Sequence, residues 1–131
     1  LTFTAAAGAE TFDVHMLNQG EAGRMVYEPA FLSISAGDSV RFVPVDRGHN
    51  AESVEGMMPE GAEAFSGRIN EELTITFDVE GVYGVRCTPH FAMGMVMSIE
   101  VGEINEIPDG FLEGRIPRTA LQRFEEQLTG L

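Results

Sequence analysis

The sequence predicts a mainly β fold, a sandwich of short antiparallel strands followed by a helical tail. Three observations carry this. Apolar and polar residues alternate with period two in several short segments, turn residues separate those segments, and the spacing becomes helical near the C-terminus. Phe12-Asp13-Val14-His15-Met16-Leu17 alternates, and Asn18-Gln19-Gly20 ends it. In "FLSISAGDSVRFVPV" two strands flank the turn Ala36-Gly37-Asp38, with Val40 and Phe42 on one face and Arg41 and Val43 on the other. Residues 46–70 lose the alternation and read as one long connection, a length that in a small domain usually serves function. Alternation returns with Leu73, Ile75 and Phe77 on one face, then Tyr83, Val85 and Cys87. In the last strand Met95, Met97, Ile99 and Val101 lie opposite Ser98 and Glu100. In "IPRTALQRFEEQLTGL", Pro117 suits a first helical turn, Leu121, Phe124 and Leu128 share one helical face, and Gly130 marks the stop. "IPDGFLEGR" before it reads as a shorter helical turn, so one or two C-terminal helices are expected.

The chain of 131 residues is the size of one domain and has a single cysteine, hence no internal disulfide. The sandwich is assigned to 10–104 and the helical extension of the same domain to 105–131. Residues 1–9 end in the small run Ala7-Gly8-Ala9 and read either as the remnant of a secretory signal or as a flexible terminus; the first reading implies export. No apolar run approaches the roughly 18 residues of a spanning helix. Acidic residues outnumber basic ones 21 to 8, for a net charge of −13, and all eight basic residues are arginine. Such a chain repels nucleic acid, whose binding depends on cations displacing counterions. Its acidity serves solubility or steers a basic partner toward it.

The chemistry concentrates in "CTPHFAMGM", residues 87–95. A lone cysteine near a histidine admits a nucleophilic thiol, a small buried hydrophobe, or a soft metal ligand. The third reading uses the most neighbours. Cys87 ends one strand and Met95 begins the next, so one loop can fold both sulfurs and His90 around a point, and His49 in "DRGHNAES" sits where an earlier strand has just ended. One thiolate, two imidazoles and a thioether are the donors of a blue-copper site, with His49, His90 and Cys87 as a trigonal plane and a weak axial methionine. Structural zinc prefers donor sets without methionine and stands second. His15 reads as a polar strand position rather than a ligand.

"GHN" followed by "YGVRCTPHFAMGM" resembles the pseudoazurins, a branch of the small blue-copper proteins or cupredoxins, and "HMLN", "MVYEP" and "PEGAEAF" extend the similarity over residues 12–101. The resemblance implies a Greek-key cupredoxin sandwich with added C-terminal helices. It also implies one type 1 copper ion and one-electron transfer between copper(I) and copper(II), not enzymatic catalysis. It selects Met95 over Met93 as the axial ligand, because the family's methionine lies eight residues after its cysteine. It further implies that the Asn50 N–H donates to the thiolate and the Asn50 side chain ties down the loop near Thr88. Pro89 offers the sulfur no N–H, and Met25 either packs on a ligand imidazole or is a plain core methionine.

The chain is expected to be a periplasmic monomer whose redox partners dock transiently near the edge of His90. Here Phe91, Ala92 and Met93 form that apolar patch. Pseudoazurins usually ring it with lysines that meet acidic partners such as copper nitrite reductase, a denitrification enzyme. This chain has no lysine, and only Arg47 and Arg86 lie near the site in sequence. A copper chaperone or storage protein of the same fold is the alternative function, and a thiol enzyme using Cys87 is a more distant one.

Overall fold

The alternating segments pair into two four-stranded sheets in the computed structural model of the chain, which describes residues 9–131. The strands are β1 (Thr11–Gly20), β2 (Gly23–Glu28), β3 (Phe31–Ile34), β4 (Ser39–Pro44), β5 (Glu52–Ser53), β6 (Leu73–Thr76), β7 (Gly81–Arg86) and β8 (Val96–Val101), and α1 (Arg118–Gln127) follows. One sheet has the order β2-β1-β4-β6 and the other β3-β8-β7-β5. The reading of residues 1–9 as a signal remnant falls, except for Ala9, outside the described residues.

The all-antiparallel expectation is corrected at two places. β1 runs parallel to β4, with Val14 beside Phe42, and β3 runs parallel to β8, with Leu32 beside Ile99. The chain leaves the first sheet after β2, contributes β3 to the second, and returns as β4, which brings β4 beside β1 in the same direction. Alternation reports which face a residue occupies, not which way its neighbour runs.

Period two was legible where one face meets the core and the other meets water. Val14, Met16, Val40 and Phe42 are fully buried between the sheets, while Arg41 and Val43 are only half-buried. β2 escaped notice because its pattern is irregular: Val26 and Tyr27 are adjacent and both buried. The β1–β2 ladder pairs Leu17 with Val26 and Gln19 with Arg24 but skips Asn18 and Met25, and Met25 adopts φ 52°. The segment read as a structureless connection also holds β5, whose Glu52 and Ser53 pair with Arg86 and Val85.

β7 and β8 are covered on both faces. Their inner residues, among them Tyr83, Val85, Met97 and Ile99, join the core between the sheets. Val82 and Val96 point outward into a second cluster with Phe111, Ala120, Phe124 and Leu128. The helix thus exists to bury the outer face of this sheet, and complete burial of a side chain such as Phe124 contributes about 1.5–3 kcal/mol. Its buried face is Ala120, Phe124 and Leu128, with Leu121 at the margin. Ser98, on the face opposite Met97 and Ile99, is buried under the helix and its hydroxyl donates to Gln127 Oε1 at 2.8 Å. The C-terminal extension holds one α-helix, and "IPDGFLEGR" forms only turns, with Phe111 N donating to Pro108 O and Glu113 N to Gly110 O.

Asp38 pins the start of the sandwich. Its two carboxylate oxygens accept from the backbone N–H of Glu10 and of Ser35, both at 2.9 Å. These donors hold the Asp38 carboxyl below the ordinary carboxylate range, against the raising effect of burial. A depressed folded pKa stabilises the fold above the unfolded value, and that contribution is lost as pH falls through the folded value. Asp38→Ala is expected to lower the melting temperature at neutral pH, with the gap to the parent closing at strongly acidic pH; a gap independent of pH would show that the charge is not what matters.

Candidate metal centre

The β7–β8 connection is built as a narrow-based loop. Cys87 N donates to Met95 O at 3.0 Å and closes its base, His90 N returns to Cys87 O at 3.2 Å, and Met95 N donates to His90 O at 3.1 Å. A single helical turn of Phe91–Met93 fills the tip. These bonds force His90 to curl back over the cysteine, because its backbone is tied to both ends of the loop. His49 arrives from the turn after β4 and is fully buried, its carbonyl held by Asn70 N at 2.9 Å.

The three side chains converge. Cys87 Sγ lies 3.5 Å from His90 Nδ1 and 3.8 Å from His49 Nδ1, and the two Nδ1 atoms are 3.2 Å apart. Donors held about 2.0–2.3 Å from one shared ion and spread trigonally stand roughly 3.5–4 Å apart, so this triangle has the dimensions of three ligands to a single metal. Met95, the fourth predicted donor, is fully buried in the same core cluster as Cys87. Met93 is 44% exposed at the loop tip, pointing to solvent rather than to this cluster.

The electrostatics suit a metal and not a free nucleophile. Burial pushes the Cys87 thiol up, only partly offset by backbone N–H groups of Asn50 and His90. A reactive cysteine shows the reverse, a lowered pKa in an exposed, electropositive setting. A bound cation supplies the charge that the buried thiolate lacks. His49 is lowered, first by desolvation and then by the neighbouring His90 ring, with Asp46 opposing; it is therefore neutral near pH 7, the form that ligates.

The surrounding hydrogen bonds fix these groups. Asn50 Oδ1 accepts from Thr88 N at 2.7 Å, and its amide donates to Thr88 Oγ1 at 2.8 Å and Gly67 O at 3.1 Å. Two contributors went unseen in the sequence. The break in the β1–β2 ladder frees Asn18, whose Oδ1 lies 2.8 Å from His49 Nε2. An amide oxygen only accepts, so Nε2 carries the proton and Nδ1 keeps its lone pair for a metal. Glu52 accepts from Thr88 Oγ1 at 3.2 Å, Ser66 Oγ at 2.9 Å and Arg86 Nε at 2.9 Å. Neither residue belongs to the ligand cluster in sequence, and the Asn18 contact arises from an irregular pairing that alternation does not report.

Pro89 and Ala92 are exposed around half-buried His90, as is Arg47 beyond the loop. Arg86 is engaged elsewhere: it pairs with Glu52 and its guanidinium lies 5.1 Å from the centre of the Phe91 ring. Met25 is half-buried against the cluster that contains Cys87 and Met95. His15 is exposed on β1 opposite Glu28, away from the ligands.

The family profile described as copper binding proteins, plastocyanin/azurin family, matches residues 14–102. A pseudoazurin of Paracoccus pantotrophus is 45% identical over 128 residues, covering 98% of this chain and 88% of its own. The chain belongs to the pseudoazurins. Among solved structures, the pseudoazurin of Methylobacterium extorquens superposes with a TM-score of 0.86 at 36% identity, covering 91% of this chain and 97% of its own. That of Hyphomicrobium denitrificans gives 0.83 at 36% identity, covering 92% and 98%. As in this family of electron-transfer cupredoxins, His49, Cys87, His90 and Met95 form a type 1 copper site.

Asn18→Leu removes the acceptor on His49 Nε2 without reaching a ligand atom. Copper affinity, measured by competition with a chelator, is expected to fall about 10- to 100-fold, the usual cost of losing a partner of a ligating histidine. Unchanged affinity would mean that packing alone sets the His49 tautomer.

Proposed function

We propose that this pseudoazurin works in the periplasm as a monomer, carrying single electrons between redox proteins that dock over His90. The observation that carries the reading is the triangle of buried Cys87 and His49 with half-buried His90, which among the described residues meets solvent at the His90 side. Copper supplies the one-electron couple between its two oxidation states when bound. The protein's own part is to resist rearrangement. Cys87 is anchored by the backbone bonds at the loop base, His49 by Asn18 and Asn70, and the Cys87–Thr88 corner by Asn50. Ligands held this way keep nearly one geometry through both oxidation states, so little reorganisation opposes transfer. Among the described residues no helix is long and apolar enough to cross a membrane.

The docking surface joins His90 to exposed Ala92 and Met93, with Phe91 half-buried beside them. Its size suits a brief encounter rather than a lasting complex. Arg86 is neutralised by Glu52, which leaves Arg47 as the exposed cation nearest the ligands in sequence, on a chain of net charge −13. An acceptor from denitrification such as copper nitrite reductase is compatible with this surface provided that its own docking face is not acidic.

Adding copper(II) to the metal-free protein is expected to produce the intense visible absorption of a thiolate bound to copper(II). Cys87→Ser abolishes it and Met93→Leu leaves it in place. A protein that takes up copper(I) yet shows no such band with copper(II) would instead be a chaperone or store.

Electron transfer to a basic c-type cytochrome is expected to slow as salt rises, and transfer to an acidic reductase to speed up, because screening removes attraction in one case and repulsion in the other. The reversed pattern would show a positive rim at His90 that overrides the net charge.

A further inference from the structure

The C-terminal helix reaches the copper site through one side chain. Arg123, in the middle of α1, donates from Nη1 to Gly94 O and to Met25 O, both at 2.8 Å, and from Nη2 to Arg24 O at 2.9 Å. Gly94 immediately precedes Met95, and Met25 sits at the break in the β1–β2 ladder whose other side is Asn18. One guanidinium therefore grips both the chain entering the axial methionine and the irregular strand opposite the residue that orients His49. A planar group with several fixed donors suits three carbonyls at once as a flexible ammonium does not.

The packing around the contact shows that it is built closely. Gly94 has φ 91°, and a Cβ there would stand 2.6 Å from Thr119 Cγ2 and 3.2 Å from Arg123 Cδ, so α1 lies directly on the ligand loop. Met25 holds φ 52°, a region that non-glycine residues seldom occupy, with its carbonyl fixed by the same guanidinium. We infer that Arg123 is a positioning residue for the copper site, setting the placement of Met95 and of the Asn18 strand from the helix face that lies on the ligand loop. The inference rests on the copper reading, yet part of its test needs no metal.

The helix has a second attachment that serves as the control. Gln127 donates to Val96 O at 2.9 Å and accepts from Ser98 Oγ at 2.8 Å, holding α1 to β8 without touching Gly94 or Met25. Three variants, Arg123→Met, Arg123→Lys and Gln127→Ala, are compared for melting temperature, for the visible and electron paramagnetic resonance spectra of the copper form, and for amide exchange in the metal-free protein. In a site of this type the weak axial contact tunes the electronic character of the copper, so a displaced Met95 changes both the visible and the resonance spectra. Arg123→Met is expected to shift both, and to speed exchange at Met95 N, whose partner is His90 O. Arg123→Lys restores part of each, and Gln127→Ala lowers the melting temperature while leaving spectra and Met95 exchange as in the parent. If Arg123→Met and Gln127→Ala lose stability alike and both keep the parent spectra and exchange, Arg123 only fastens the helix and the inference falls. Should Arg123→Met fail to fold, Arg123→Lys decides: parent-like spectra and exchange overturn the inference, and a shift in either supports it. If the parent itself develops no thiolate band with copper, the copper reading fails, and faster Met95 exchange in the Arg123 variants of the metal-free protein still supports the clamp on the loop.

Discussion

The structure depends on one arrangement that water would not permit: a buried thiol, a buried imidazole and a half-buried one with their ligand atoms within 4.8 Å of one another at the end of a β-sandwich. Burial raises the Cys87 pKa and lowers that of His49, so each group left alone retreats to its neutral form. A cation reverses this for the cysteine and accepts the neutral histidine as it stands. The same burial that disfavours a free thiolate is thus what makes a bound metal the natural complement of the site, and what disqualifies Cys87 as an exposed nucleophile.

Holding three polar groups in an apolar enclosure requires that every remaining hydrogen-bonding atom be answered, and among the described residues no buried side-chain nitrogen or oxygen lacks a partner. The answers come from a long reach of chain. Asn18 lies on β1, Asn50 after β4, Gly67 in the following connection and Thr88 beside the cysteine. Tyr27 adds a hydroxyl that donates to Asn50 O at 2.6 Å from within the core. The peptide of Asn50 is thereby fixed on both sides, its N–H toward the cysteine and its carbonyl to the tyrosine. A site assembled from parts so distant in sequence can be rigid only after the whole sandwich has formed, so stability of the fold and constancy of the metal geometry are one property.

What the sequence disclosed follows from locality. Cys87, His90 and Met95 fall within one loop, and His49 follows closely on a strand whose alternation is clean, so the donor set was legible as spacing plus chemistry. Asn50 and Thr88 came only through family resemblance, since nothing in their immediate sequence marks them. Asn18 was placed at the end of a strand that in fact continues to Gly20, because an isolated ladder skip leaves no trace in a hydrophobic pattern. The helix was evident from Phe124 and Leu128, but its exact face was not: Ala120 is buried where Leu121 was expected, since a small residue is what lets the helix lie close to the sheet. Parallel pairing was invisible for a related reason, as alternation reads burial and carries no direction.

Glu52 shows how the interior demands and the surface charge constrain each other. It pairs with Arg86, receives the hydroxyls of Ser66 and Thr88, and its carboxyl is lowered despite burial, chiefly by Arg86 and Ser66. Through Thr88 it reaches the Asn50 amide, and through Arg86 it holds a guanidinium over Phe91 in the ligand loop. An arginine committed in this way supports the loop as a rigid strut and contributes little positive potential to an approaching protein. The loop beside His90 thus gains definition from an ion pair whose two charges cancel at longer range. On a chain with no lysine, the short-range order of the site and the acidic character of its surface come from the same choice of residues.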